Sequence, residues 1–167
     1  MQQTIVNDLL FICKTLQENK VQYLIVGGFA VGLHGYSRMS TDMNGNISQK
    51  QDFDFWYNPT YTNYFNLLNA LEKLGEDVSK FKAEQTPNPL KSFFKLKSDR
   101  FTIDFLPTII GLEKFITSFK KRNIIKIEGI QIDFICLEDL LINKKTTARP
   151  KDIDDINQLN LINKNNK

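Results

Sequence analysis

Histidine is almost missing from this chain of 167 residues: His34 stands alone, beside two cysteines and one tryptophan. A metal site built on imidazole and thiolate therefore has too few ligands, and any metal must rest mainly on carboxylate oxygen, which suits Mg²⁺ or Mn²⁺ better than zinc. Cys13 and Cys136 both lie in apolar surroundings, so a disulfide framework is not expected and a reduced, cytoplasmic setting is. The N-terminal MQQTIVNDLL has no basic region and no long apolar run behind it, so neither a signal peptide nor a membrane span is expected. A strong excess of one charge is lacking too: 22 basic against 19 acidic residues give +3 and a pI of about 8.8. That balance permits a polyanionic partner without demanding one. The length suits one domain, expected over residues 1–162, with 163–167 as a frayed polar tail.

What is present is concentrated in QDFDFW, residues 51–56. In an extended chain Asp52, Asp54 and Trp56 project to one side while Phe53, Phe55 and Tyr57 project to the other. The aromatic side explains a buried strand. The acidic side needs another reason, because two like charges about 7 Å apart repel and ask for a cation. Further along, RFTIDFLP repeats the pattern, with Asp104 on the side of Thr102 and Leu106.

Around these two stretches the periodicity predicts a packing helix from Thr4 to Gln17 and a buried strand YLIVGG at 23–28 that ends in a glycine pair. A short helix closed by Gly35 follows, then a polar loop to Gln51. Asn58 and Pro59 offer the cap and first residue of a helix that Gly75 ends. Strands are expected at 91–97 and 100–107, a helix at 111–119, a hairpin or bulged strand pivoting at Gly129, and a helical end starting at LEDLLINKK and again at Pro150. Three carboxylates from neighbouring strands, facing a Gly27-Gly28 turn, can hold divalent cations that clamp a triphosphate and activate a hydroxyl. Backbone N–H groups of such a turn can take phosphate; a mere helix-entry turn would look the same. His34 is expected to be structural.

VGGFAVGLHGYSR, Thr41, DFDFW, IDFL and NKKTTARPKDIDDINQL together resemble the nucleotidyltransferase-fold superfamily of the DNA polymerase β type. Within it, the resemblance is to small bacterial members related to AbiEii-type toxins and minimal nucleotidyltransferases. It runs from about Tyr23 to Leu159. It implies an α/β (α+β) fold, a mixed sheet with helices behind it and a C-terminal helical part. It implies Asp52, Asp54 and Asp104 as catalytic and metal-binding residues, Asp104 also as a general base. Gly27, Gly28, Arg38, Thr41, Lys144 and Arg149 would bind the nucleotide, with Asp152 orienting its neighbours. Two departures from the family pattern stand out: DMNGNISQKQ intervenes between Thr41 and Asp52, which leaves Asp42 as a rival acid, and Phe29 follows the glycine pair where many members have serine.

The implied activity is Mg²⁺- or Mn²⁺-dependent transfer of a nucleoside monophosphate from an NTP such as ATP to a hydroxyl acceptor. RNA 3′ ends (tRNA included), a protein or a small molecule would each supply that hydroxyl, and the oligomeric state stays open. The alternatives are an inactive relative that binds nucleotide, RNA or a partner protein, as in a toxin-antitoxin or defence module, and a metal-dependent nuclease.

Overall fold

Alternating side chains build the centre of the molecule as the spacing predicts, and the sheet grows outward from it. The computed structural model describes residues 2–37 and 50–165. In chain order the elements are α1 (Gln2–Glu18), β1 (Tyr23–Val26), α2 (Gly27–Leu33), β2 (Gln51–Tyr57), α3 (Tyr61–Lys73), α4 (Ser79–Lys82), β3 (Phe94–Lys97), β4 (Phe101–Leu106), α5 (Phe115–Lys120), β5 (Asn123–Ile127), β6 (Ile130–Phe134), α6 (Leu137–Thr147) and α7 (Pro150–Asn165). The six strands form one mixed sheet in the order β3-β4-β2-β1-β6-β5. β2 runs parallel to β4 and antiparallel to β1, while β1 is parallel to β6. The fold class is the expected one.

One face of the sheet is aromatic and holds the core. Phe55 stacks on Phe105 of β4 with centroids 5.1 Å apart, Phe53 meets Phe29 of α2 at 5.2 Å, and Phe94 of β3 meets Tyr64 of α3 at 6.0 Å. Phe53, Phe55, Ile103 and Phe105 are all buried, so this face contributes the usual large apolar transfer term. The other face carries Asp52 and Asp54, and its Trp56 end is closed by Phe115 of α5, centroids 5.3 Å apart. The Trp56 indole N–H donates to the Pro107 carbonyl at 3.1 Å.

Several boundaries differ from the sequence expectation. The glycine pair opens α2 instead of ending β1, and β3 is four residues long because Pro89–Lys91 winds into a 3₁₀ turn. Asn58 does not cap α3: its side-chain amide donates to the Gln22 side chain at 2.7 Å and its carbonyl accepts from Asn63 at 2.8 Å. Thr60 is the cap, its hydroxyl accepting the Asn63 N–H at 3.3 Å. Thr60→Ala is therefore expected to lower stability by about 1 kcal/mol in urea titrations, whereas Pro59→Ala leaves the cap intact.

α5 starts at Phe115 and not at Gly111, because Gly111 has φ of +86° and a Cβ there would stand 2.5 Å from the Thr146 hydroxyl of α6. α7 continues to Asn165, so the polar tail begins as helix. The β5–β6 hairpin does pivot at Gly129, with Glu128 and Gly129 both at positive φ as a two-residue I′ turn requires. Among the described residues no helix is long and apolar enough to cross a membrane.

Candidate active site

Sheet register brings the sequence-predicted acids together. Asp54 is the Cα partner of Asp104 across the parallel β2–β4 pair, and Asp52 is the partner of Thr102. Across the antiparallel pair on its other side Asp54 faces Val26, the residue before Gly27. Gly27 has φ of +66°, and a Cβ there would lie 2.1 Å from an Asp54 carboxylate oxygen. The absent side chain at 27 is thus required by the approach of Asp54 as well as by the backbone, which is reason enough for glycine before any phosphate is considered. Gly28 is exposed.

Asp54 bears the electrostatic load of this face. Burial, then repulsion from Asp104 and Asp52, pushes its carboxyl up to about 6, against the opposing pull of Lys144 and Arg149. Asp52 accepts a short hydrogen bond from the Thr102 hydroxyl. Both oxygens of Asp104 accept from the Lys95 ammonium, at 2.8 and 3.0 Å.

The C-terminal helices supply the basic side. Lys144 is buried, and its ammonium donates to Asp152 at 2.9 Å and Asp155 at 2.8 Å. Arg149 lies on the turn between α6 and α7, where Ala148 adopts the left-handed conformation. It donates from Nε to Asp152 Oδ2 at 2.6 Å and from Nη2 to Oδ1 at 3.1 Å, while its side chain stays 56% exposed. Thr147 donates to the same carboxylate at 2.8 Å. Burial alone would push the Asp152 carboxyl up; the bonds from Arg149, Lys144 and Thr147 hold it well below the usual carboxylate range. Asp152 therefore ties the two basic residues together, and both reach Asp54 through space.

Arg38, Thr41 and the rival acid Asp42 lie outside the described residues. His34 is structural, its Nε2 bonded to the Ile135 carbonyl at 2.8 Å and its ring edge-on to Phe134. Phe29, in the place of the family's serine, packs into the aromatic face against Phe53. Lys95 and Thr102 were not anticipated. The signal for Lys95 is the hairpin register: Ser98 N–H donates to the Phe101 carbonyl at 2.9 Å, so the two turn residues are Asp99 and Arg100, one place on from the gap at 98–99 between the expected strands, and Lys95 stands opposite Asp104.

Asp52, Asp54 and Asp104 project from one face and offer only carboxylate oxygen, the donor chemistry of a hard divalent cation, but their oxygens do not all lie within 4.8 Å of one another. Among the described residues the group of three potential ligands with donor atoms inside 4.8 Å is a different one, Cys136, Glu138 and Asp139. Lys121 neutralises that group, 2.6 Å from Asp139 and 3.4 Å from Glu138.

The family described as "Nucleotidyl transferase of unknown function (DUF2204)" matches residues 5–167. No curated protein matches the sequence. Among solved structures, the lincosamide antibiotic adenylyltransferase LnuA with lincomycin bound is similar, with a TM-score of 0.55, 16% identity, 93% of this chain and 96% of that chain covered. An antigenic nucleotidyltransferase-like protein from Paracoccidioides brasiliensis is similar at a TM-score of 0.47 and 15% identity, over 92% of this chain and 73% of that one.

Proposed function

Because the chain belongs to the nucleotidyl transferase family DUF2204, we propose that the Asp52–Asp54–Asp104 face is its active site and that it moves a nucleoside monophosphate from an NTP to a hydroxyl acceptor. The observation that carries this reading is the register of Asp54 against Asp104, with Gly27 packed onto the Asp54 carboxylate. Asp52 and Asp54 would hold Mg²⁺ or Mn²⁺, which when bound polarises the α-phosphate and shields its charge. The exposed Gly28 backbone and Arg149 would orient the triphosphate, and Lys144 would hold Arg149 through Asp152. Arg38 and Thr41 join this set on the motif resemblance alone. The acceptor oxygen attacks the α-phosphorus, the bond to the bridging oxygen breaks, pyrophosphate leaves, and Asp104 takes the hydroxyl proton.

The acceptor is an RNA 3′ end, a protein hydroxyl or a small molecule; the likeness to a lincosamide adenylyltransferase concerns the fold. Kinship to AbiEii-type toxins, and a place in a toxin-antitoxin module, rest on the motif resemblance. Incubation with each labelled NTP, Mg²⁺ and either tRNA or cell lysate tests the reading. Label transfer that disappears in Asp52→Asn and Asp54→Asn is expected; transfer indifferent to both substitutions, or none at all, would sink it.

Gly27→Ala is expected to reduce transfer by about 100-fold or more, because the new methyl displaces the Asp54 carboxylate and its left-handed backbone is strained. Gly75→Ala, also at a left-handed backbone but with nothing within 4 Å of the added methyl, serves as the comparison for strain alone, and an equal loss there would argue against the Asp54 contact as the cause.

A further inference from the structure

We propose that Lys95 is the exchangeable counter-ion of the acidic face: it holds Asp104 until a nucleoside triphosphate arrives, then transfers its ammonium to a phosphate oxygen and frees Asp104 for the acceptor hydroxyl. This rests on the nucleotidyl-transfer reading above and adds a residue to it.

The placement comes from the edge strand. β3 alternates buried Phe94 and Leu96 with exposed Lys95 and Lys97, so both lysines project to the acidic face of the sheet. Register then lines up Lys95, Asp104, Asp54 and Val26 in one row across β3, β4, β2 and β1, and Gly27 follows Val26 in the chain. Lys95 stands at the outer end of the row that carries the chemistry. It feels not only Asp104 but also Asp52 and Asp54, which raise its affinity for a proton together with the direct Asp104 bond.

With both oxygens accepting from Lys95, the lone pairs of Asp104 that face this ammonium are taken, and one on each oxygen is left for a hydroxyl proton. Opening the pair gives the acceptor hydroxyl the occupied side of the carboxylate as well. Lys95 is built for such a move: its side chain is 41% exposed, it has a flexible four-carbon stem, and it sits on the sheet edge. The other two basic groups near Asp54 are held in place, Lys144 between Asp152 and Asp155 and Arg149 on Asp152. An exposed ion pair adds little to stability, so exchanging one anionic partner for a more highly charged one is downhill. The bland alternative is a static pair that fastens the edge strand β3 to β4.

Binding measurements separate the two. The full chain and its Lys95→Met and Lys95→Arg variants are titrated calorimetrically with α,β-methylene ATP plus Mg²⁺, an analogue whose scissile bridge cannot break, and separately with Mn²⁺ alone. The exchange predicts that Lys95→Met binds the analogue about tenfold more weakly, that Lys95→Arg stays within about threefold of the parent, and that Mn²⁺ alone binds Lys95→Met no more weakly than the parent. In the parent protein with ¹³C-methylated lysines, the Lys95 resonance, assigned by its loss in Lys95→Arg, moves when the analogue is added. A static pair predicts unchanged analogue affinity and an unmoved resonance, and either result overturns the proposal. Should the parent bind the analogue but show no dependence on Lys95, only this inference fails; should it bind neither analogue nor Mn²⁺, the nucleotidyl-transfer assignment of the site fails with it.

Discussion

Methionine in place of Lys144 is expected to destabilise the fold by about 3–5 kcal/mol. The side chain is of similar length, so packing is largely kept and the loss is electrostatic. Lys144 is 1% exposed, and the carboxylates it joins belong to Asp152 and Asp155, both at 0%. Removing the ammonium leaves two buried acids facing each other with only part of their charge answered. Arg149 and Thr147 still donate to Asp152, so part of the buried charge stays answered and the α6–α7 packing carries the rest of the loss.

Urea unfolding monitored by circular dichroism measures the loss. The double variant Lys144→Met/Asp155→Asn should recover part of it, because one of the two buried negative charges is gone. A loss below about 1 kcal/mol, or no recovery in the double variant, would mean that the triad is not the anchor of the C-terminal helices. The same network predicts acid sensitivity. Asp152 is held below its ordinary range when folded, so its contribution is present above about pH 4 and fades as pH falls further.

The sequence was most legible where two periodicities agreed. QDFDFW and RFTIDFLP each alternate aromatic or aliphatic residues with polar ones, and one slip of register would have put acids in the core. That constraint made the two strands and the shared face of Asp52, Asp54 and Asp104 readable without any structure. Less was readable where a local signal had two solutions. Asn58-Pro59 has the chemistry of a helix start, but Gln22 and Asn63 compete for Asn58 and the cap passes to Thr60.

Lys144 lies in NKKTT and the motif resemblance makes it a nucleotide-binding residue; the return of α7 instead places Asp152 and Asp155 against its ammonium. Lys95 is illegible for a third reason, since its partner depends on where the turn falls between 98 and 101, and moving the turn by one residue changes the register.

Asparagine in place of Asp54 is expected to move stability and activity in opposite directions. Measured in EDTA, the wild-type carboxyl is disfavoured as an anion by burial first and by Asp104 and Asp52 next, which places its ionisation at about 6 in the fold against about 4 in the unfolded chain. A carboxyl raised on folding contributes stability that is complete below about pH 4 and lost as pH rises through about 6. Asparagine has nearly the same shape and never ionises. The variant should therefore match wild type near pH 4 and exceed it at pH 8 by up to about 3 kcal/mol, the limit set by a shift of roughly two pH units.

Transfer activity should fall by about 10³-fold or more, equivalent to roughly 4 kcal/mol of barrier, because the oxygen donor that Asp54 is proposed to offer a divalent cation is gone. Adding Mg²⁺ at pH 8 should raise the melting temperature of wild type and leave the variant unchanged, since a cation that binds the folded state stabilises it by mass action. A variant less stable than wild type at pH 8 in EDTA would show that the fold needs the charge. The expected result instead places Asp54 among residues kept at a cost to stability, which is the pattern of a site built to receive a cation.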